Sequence, residues 1–189
     1  MRLLRPLLLV LLVAAGTATA GDRAQAPAWQ VYFSPRGGCT QAVVTALAAA
    51  TNSVLVQAYS FTSAPIARAL ADAYRRGVRV QAILDKSQAT ETYSSATFLV
   101  HAGIPTRIDA RHAIAHNKVM IIDGQTVLTG SFNFTRAAEE NNAENLLVIH
   151  DPDLAARYAA NWRTHEAHSE PYTAPSGQYA RHRKRHRRE

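Results

Sequence analysis

Residues 116–135 read HNKVMIIDGQTVLTGSFNFT and carry His116, Lys118, Ser131 and Asn133 in one short stretch. An imidazole, an ammonium, a hydroxyl and a carboxamide are the groups needed to attack and hold a phosphate. The imidazole can act as nucleophile or acid/base, and the others can neutralise or hydrogen-bond the phosphoryl oxygens. Core packing calls for none of them. A solvated amphipathic hairpin is the competing reading, but Ser131-Phe132-Asn133-Phe134 is an unusual composition for a wet strand end.

The positioning elements follow from the same stretch. Val119, Met120, Ile121 and Ile122 form one apolar run and residues 126–129 another, with Asp123-Gly124 between them as a turn signal. Side chains alternate faces along a strand, so His116 and Lys118 share a side. Ser131 and Asn133 would share a side if the extended chain ran through them. One hairpin could thus bring four polar groups to one end of a sheet. Asp123 is expected to be structural, holding the turn.

The flanking chain alternates strand and helix. Strands are expected over 29–33, 53–59, 78–84 and 146–149. Helices are expected from Thr40 to about 50, from Pro65 to 76, over 96–102, and from Pro152 to about 168. Residues 85–95 read as a loop. Near-continuous apolar strands imply an α/β fold, a mixed sheet with helices on both faces. No internal repeat is evident.

The formal net charge of +7 is unevenly placed. Residues 21–180 hold equal numbers of basic and acidic side chains, and the excess sits at the two ends. Arg2 and Arg5 precede an apolar run over 7–15 and the small-residue site Ala18-Thr19-Ala20. That is the pattern of a cleaved signal peptide over 1–20, and it predicts a periplasmic or secreted protein. The run is short for a spanning helix, although an uncleaved anchor is the runner-up. Residues 21–28 form a lead-in, 29–168 the domain, and 169–189 a linker and tail. The tail carries Arg181, Arg183, Lys184, Arg185, Arg187 and Arg188. It is expected to be disordered. It could contact nucleic acid or an anionic membrane surface, or serve only solubility. Cys39 is the single cysteine, which rules out an intrachain disulfide and suggests a buried thiol.

His116-x-Lys118, Asp123, Gly130-Ser131 and Asn133 resemble the HKD signature of the phospholipase D superfamily. The likeness continues in Val31-Tyr32-Phe33-Ser34-Pro35, Ala58-Tyr59-Ser60-Phe61-Thr62, Arg76-Gly77-Val78, Ala102-Gly103-Ile104-Pro105 and Asn142-Ala143-Glu144-Asn145. These segments resemble the small bacterial single-motif endonucleases of that superfamily, over about residues 29–168. The resemblance implies the phospholipase D/nuclease fold with one HKD motif per chain. It also implies a homodimer, and a carboxylate at Glu144 that orients the histidine.

A phosphodiester is shielded by its own charge. An imidazole can cleave it through a phosphohistidine, with a second group protonating the leaving oxygen on the far side of phosphorus. One HKD set supplies one such histidine, so the second comes most simply from another subunit across a two-fold axis. His116 is then nucleophile in one subunit and acid/base in the other. Lys118, Ser131 and Asn133 hold the oxygens. No metal or cofactor is expected. His112 lies four residues before His116, without a cysteine or carboxylate cluster in the sequence to support a metal site. His101, His150, His165 and His168 are expected at the surface or satisfied in the core, and Glu139 and Glu140 on a solvated turn. Tyr59, Phe61, Phe132 and Phe134 are expected in the core, with Phe61 a candidate to line the groove.

Three functions compete. The first is a metal-independent endonuclease acting on DNA, or RNA, with little sequence preference, because the hairpin carries no reader of base edges. The second is a phospholipase D acting on phospholipid head groups, against which the chain offers few segments for an acyl pocket. The third is a non-enzymatic DNA- or membrane-binding protein that uses the basic tail.

Overall fold

The computed structural model describes residues 28–91 and 94–174. The expected signal peptide, nearly all of the lead-in and the basic tail lie outside them. The elements are β1 (Trp29–Ser34), α1 (Cys39–Ala49), β2 (Ser53–Ala58), α2 (Ala64–Arg75), β3 (Arg79–Asp85), α3 (Ala96–His101) and β4 (Thr106–Asp109). They continue with β5 (Lys118–Ile122), β6 (Thr126–Gly130), α4 (Arg136–Glu140), β7 (Glu144–His150), α5 (Pro152–Glu166) and β8 (Glu170–Pro171). A 3₁₀ turn, Lys86–Ala89, follows β3. The short elements β4, α4 and β8 were not expected from the sequence.

The strands form one mixed sheet in the order β1-β7-β6-β5-β2-β3-β4-β8. β2, β3 and β4 are parallel, joined by the helical crossovers that parallel pairs require. The other neighbours are antiparallel. The expected mixed α/β architecture is therefore present, as one domain.

Helices cover the sheet unequally. On one face α1, α2 and α3 enclose a core that includes Val43, Leu47, Leu70, Val56, Leu84, Met120, Phe132 and Phe134. On the other, α5 packs Ala155 and Trp162 against Ile83, Val119, Ile121 and Val127. Trp162 donates its indole N–H to the Val56 carbonyl at 2.9 Å, which satisfies the one polar atom this large ring buries.

Asp123-Gly124 makes the expected tight turn, with both residues at positive φ (55° and 66°) as a two-residue hairpin of this hand requires. The Asp123 carboxylate does more than hold that turn. It accepts from Thr51 N, Thr51 Oγ1, Asn52 N and Ser53 N at 2.8–2.9 Å, clamping the chain between α1 and β2 onto the hairpin.

α1 departs from the expected capping. Its N-cap is Gly38, not Thr40. The orphan N–H groups of Gly38 and Thr40 are met by Glu139 at 3.0 and 2.6 Å. Glu139 is thus a long-range helix cap rather than a residue on a solvated turn. At the other end Arg76 Nη2 donates to the carbonyls of Leu47, Ala48 and Ala50 at 2.9–3.3 Å.

A second correction concerns the histidines. His112, His165 and His168 are not independent surface or core residues. All three converge on Asp109. Cys39 is fully buried, as expected. Burial, with Glu139 second, pushes its thiol up to about 11.

Candidate active site

The register of the sheet collects strand ends at one edge. Lys118, the first residue of β5, pairs with Ala58 at the end of β2. Gly130, the last of β6, pairs with Leu146 near the start of β7, and Glu144 pairs with Ser34 at the end of β1. Residues contributed from far apart in the chain therefore meet at one place.

His116 stands just before β5 and is exposed. Its ring lies against Tyr59, with centroids 4.6 Å apart. The backbone that carries it is pinned on several sides. Asp85, buried at the end of β3, accepts from Ala115 N at 2.7 Å. Tyr59 N donates to Asn117 O at 2.8 Å, and Lys86 Nζ donates to His112 O at 3.1 Å. An imidazole held this way reaches solvent on a backbone fixed from several sides.

Lys118 is only 6% exposed. Its ammonium donates to His116 O at 2.8 Å and lies 4.9 Å from the Tyr59 ring centroid, a cation–π contact. Burial holds this ammonium below the usual lysine range, while the charge of Glu144 pulls it back up. A phosphate arriving here would restore the anionic partner that such a cation lacks.

Ser131 and Asn133 leave the strand after Gly130, so the extended run does not continue as expected. The chain instead turns so that Phe134 bridges to Phe61. Ser131 Oγ accepts from Asn145 N and Asn145 Nδ2 at 3.1 and 3.3 Å, which fills its acceptor sites and leaves its own proton to donate. Gly130 permits this close approach: a Cβ there would lie 2.3 Å from Asn145 O, and its φ is +149°. The Asn133 side-chain oxygen is buried without a partner. Among the described residues its amide nitrogen has no hydrogen-bond partner, so the donor end remains available.

Glu144 accepts from Asn142 Nδ2 at 3.1 Å. Among the described residues no hydrogen bond joins it to His116, so the orienting contact implied by the family resemblance is not made within the protomer. Phe61, Phe132 and Phe134 are fully buried, so Phe61 does not line the groove. Tyr59, expected in the core, is half-buried and forms the wall behind His116. The basic residues Arg181 to Arg188 lie outside the described residues. Tyr59, Asp85 and Asn145 were not singled out as site residues from the sequence. Asp85, an acid closing an apolar strand in an α/β sheet, is the one whose position gave a signal.

Residues 43–165 match the family described as "Cardiolipin synthase, PLD-like domain". The chain belongs to the phospholipase D superfamily. Within it, a "Phospholipase D" of Rickettsia conorii is 44% identical over 135 residues, covering 71% of this chain and 68% of that one. A "Mitochondrial cardiolipin hydrolase" of Chlamydomonas reinhardtii is 38% identical over 112 residues, covering 59% of this chain and 50% of its own length. The crystal structure of Nuc from Salmonella typhimurium, a phospholipase D family member, superposes with a TM-score of 0.75 at 39% identity, covering 77% of this chain and 98% of that one. The protein is thus a phosphodiesterase of the superfamily.

Proposed function

We propose that the chain is a homodimeric endonuclease that cleaves DNA, or RNA, with little sequence preference and without a metal in the reaction. The observation that carries this reading is one exposed His116, backed by Lys118 and Asn133, in a chain with a single HKD set. Attack by a His116 ring nitrogen on phosphorus forms a P–N bond and breaks a P–O bond. The leaving oxygen takes a proton from His116 of the partner subunit. Water then displaces the histidine, giving its proton to the partner's His116, which restores both imidazoles. Lys118, Asn133 and Ser131 stabilise the charge on the nonbridging oxygens.

An uncovered apolar stripe supports the second copy. Trp29, Val31 and Phe33 alternate along the edge strand β1 and are 56%, 39% and 64% exposed. They share a face with Leu147 and Ile149 of β7, which are themselves only partly buried. The stripe ends at Phe33, one residue before the Ser34–Glu144 pair beside the site. A copy docked there would bring its own His116 near. Export through residues 1–20 and nucleic-acid contact through the basic tail complete the proposal.

The names of the relatives favour one second reading, hydrolysis of a phospholipid head group. One experiment separates them. Wild type and His116→Ala are assayed on supercoiled plasmid and on phosphatidylcholine and cardiolipin vesicles, all in EDTA over minutes. Nicking by wild type alone, with intact vesicles, is the expected result. Head-group release without nicking would transfer the assignment to lipid, and nicking by His116→Ala would remove the nucleophile.

A further inference from the structure

Away from the catalytic histidine, four side chains with metal-ligand chemistry meet at the junction of β4 and α5. They come from two short pairs, Asp109-x-x-His112 beginning on the last residue of β4 and His165-x-x-His168 at the end of α5. One oxygen or nitrogen from each lies within 4.8 Å of all the others. We propose that these four residues form a structural site for a divalent transition metal, zinc by the character of the donors.

The geometry is close to that of an occupied site. From Asp109 Oδ2, the nearest nitrogens are His165 Nδ1 at 2.7 Å, His168 Nε2 at 3.3 Å and His112 Nε2 at 3.8 Å. Ligands at tetrahedral zinc stand about 3.3 Å apart, given bonds of about 2.0–2.1 Å. The three Asp109–histidine distances bracket that spacing, and the widest pair in the set, no more than 4.8 Å apart, would close by up to about 1.5 Å on binding. Three imidazoles and a carboxylate suit zinc, and four protein ligands close the coordination sphere, as structural rather than catalytic sites do.

Hydrogen bonding within the cluster does not account for it. Asp109 is fully buried, and one of its oxygens faces three imidazoles. His165 is satisfied by it. His168 Nε2 is buried and has no hydrogen-bond partner among the described residues, although it stands 3.3 Å from Oδ2. A buried ring nitrogen without a partner is costly unless something binds it. The carboxylate is also held in place from behind, since Asp109 Oδ1 accepts from Arg111 N at 3.1 Å. The cluster takes no part in the proposed phosphoryl transfer. β4 is three strands from β5 in the sheet, roughly 14 Å at the usual strand spacing. Its place is structural: Asp109 and His112 open the loop that ends at His116, and a metal would tie that loop to α5.

The test uses the full chain, purified without a histidine tag, and reads metal rather than activity. Elemental analysis should find one zinc per chain. After stripping with dipicolinate, Co²⁺ should restore one equivalent with the visible absorption of a tetrahedral site, and Zn²⁺ should raise Tm by several degrees. His168→Ala and His112→Ala should each weaken the binding at least tenfold. His112 is partly exposed, so its variant remains folded if His168→Ala does not. The tail histidines His182 and His186 are common to all variants, and His150→Ala controls for adventitious binding. A stripped wild type that takes up no cobalt and shows no Tm change would overturn the proposal, as would equal metal affinity in wild type and both variants.

Discussion

Lys118 shows what burial does to a single functional group. A surface lysine keeps its charge at little cost, whereas this one sits almost wholly inside, with its ammonium on a carbonyl and an aromatic face. Its one opposing influence is Glu144. Lys118→Met should therefore lower kcat/KM on a simple diester such as bis(p-nitrophenyl) phosphate by about 10²–10³-fold, the usual effect of removing one transition-state donor. Lys118→Arg should recover little, because a planar guanidinium does not fit a slot shaped for an ammonium. Circular dichroism spectra matching wild type would check that both variants fold. Asp123 illustrates the opposite case. Burial works against its charge, but donors from Ser53, Thr51 and Asn52 outweigh it and hold the carboxyl below the usual range. A group whose folded pKa is lowered stabilises the fold fully above its unfolded value, about 3.9, and loses that contribution as pH falls through the folded value. Asp123→Asn should cost about 2 kcal/mol at neutral pH. Urea titrations from pH 6 to pH 2.5 should show the difference from wild type shrinking below pH 4. A gap that stayed constant to pH 2.5 would contradict the role of the charge.

At the scale of elements, α1 is fastened at both ends by side chains remote in sequence. Glu139 holds its N-terminus and Arg76 its C-terminus, each also placed favourably in the field of the helix. Glu139→Ala and Arg76→Ala should each cost about 1 kcal/mol, a Tm drop of about 2–4 °C. The double variant should be close to additive, since the two ends share no partner; strong coupling in thermal melts would mean that the caps act through something other than α1. This arrangement also explains what was legible in the sequence. Signals written locally were legible: Pro65 opening α2, Asp123-Gly124 turning the hairpin, and Pro152 starting α5. The caps of α1 were not, because a helix-end signal in the sequence is a matter of adjacent residues, and Glu139 is 101 positions from Gly38. β4 was missed because Thr106-Arg107-Ile108-Asp109 has too few apolar residues for an alternation to register. In the site, His116, Lys118, Ser131 and Asn133 announced themselves by type and spacing. Asp85 and Asn145 did not, since they act by hydrogen-bonding a backbone or a hydroxyl that only the fold brings near. The same reason hid the gathering of Asp109, His112, His165 and His168.

For the whole molecule, the decisive question is how many copies one reaction needs. The sheet is covered on one face by three helices but on the other chiefly by α5, and β1 presents Trp29, Val31 and Phe33 to solvent. An exposed apolar strand edge is a liability in a monomer, and a symmetric partner removes it. If a single diester is gripped by His116 from each subunit, a dimer of one wild-type chain and one His116→Ala chain has no working site. Mixing wild type with an equal amount of His116→Ala, after dissociation and reassembly, should reduce activity per wild-type chain to about half, as random pairing leaves half of those chains with an inactive partner. A tenfold excess of the variant should nearly abolish it. Phe33→Glu should give a folded monomer in sedimentation, inactive at concentrations where wild type is fully active, since a charge at the site end of the stripe opposes its burial. Activity that tracks the amount of wild-type chain alone, or a fully active Phe33→Glu monomer, would show that one subunit carries a complete site. The second acid/base would then have to be sought among groups of the same chain.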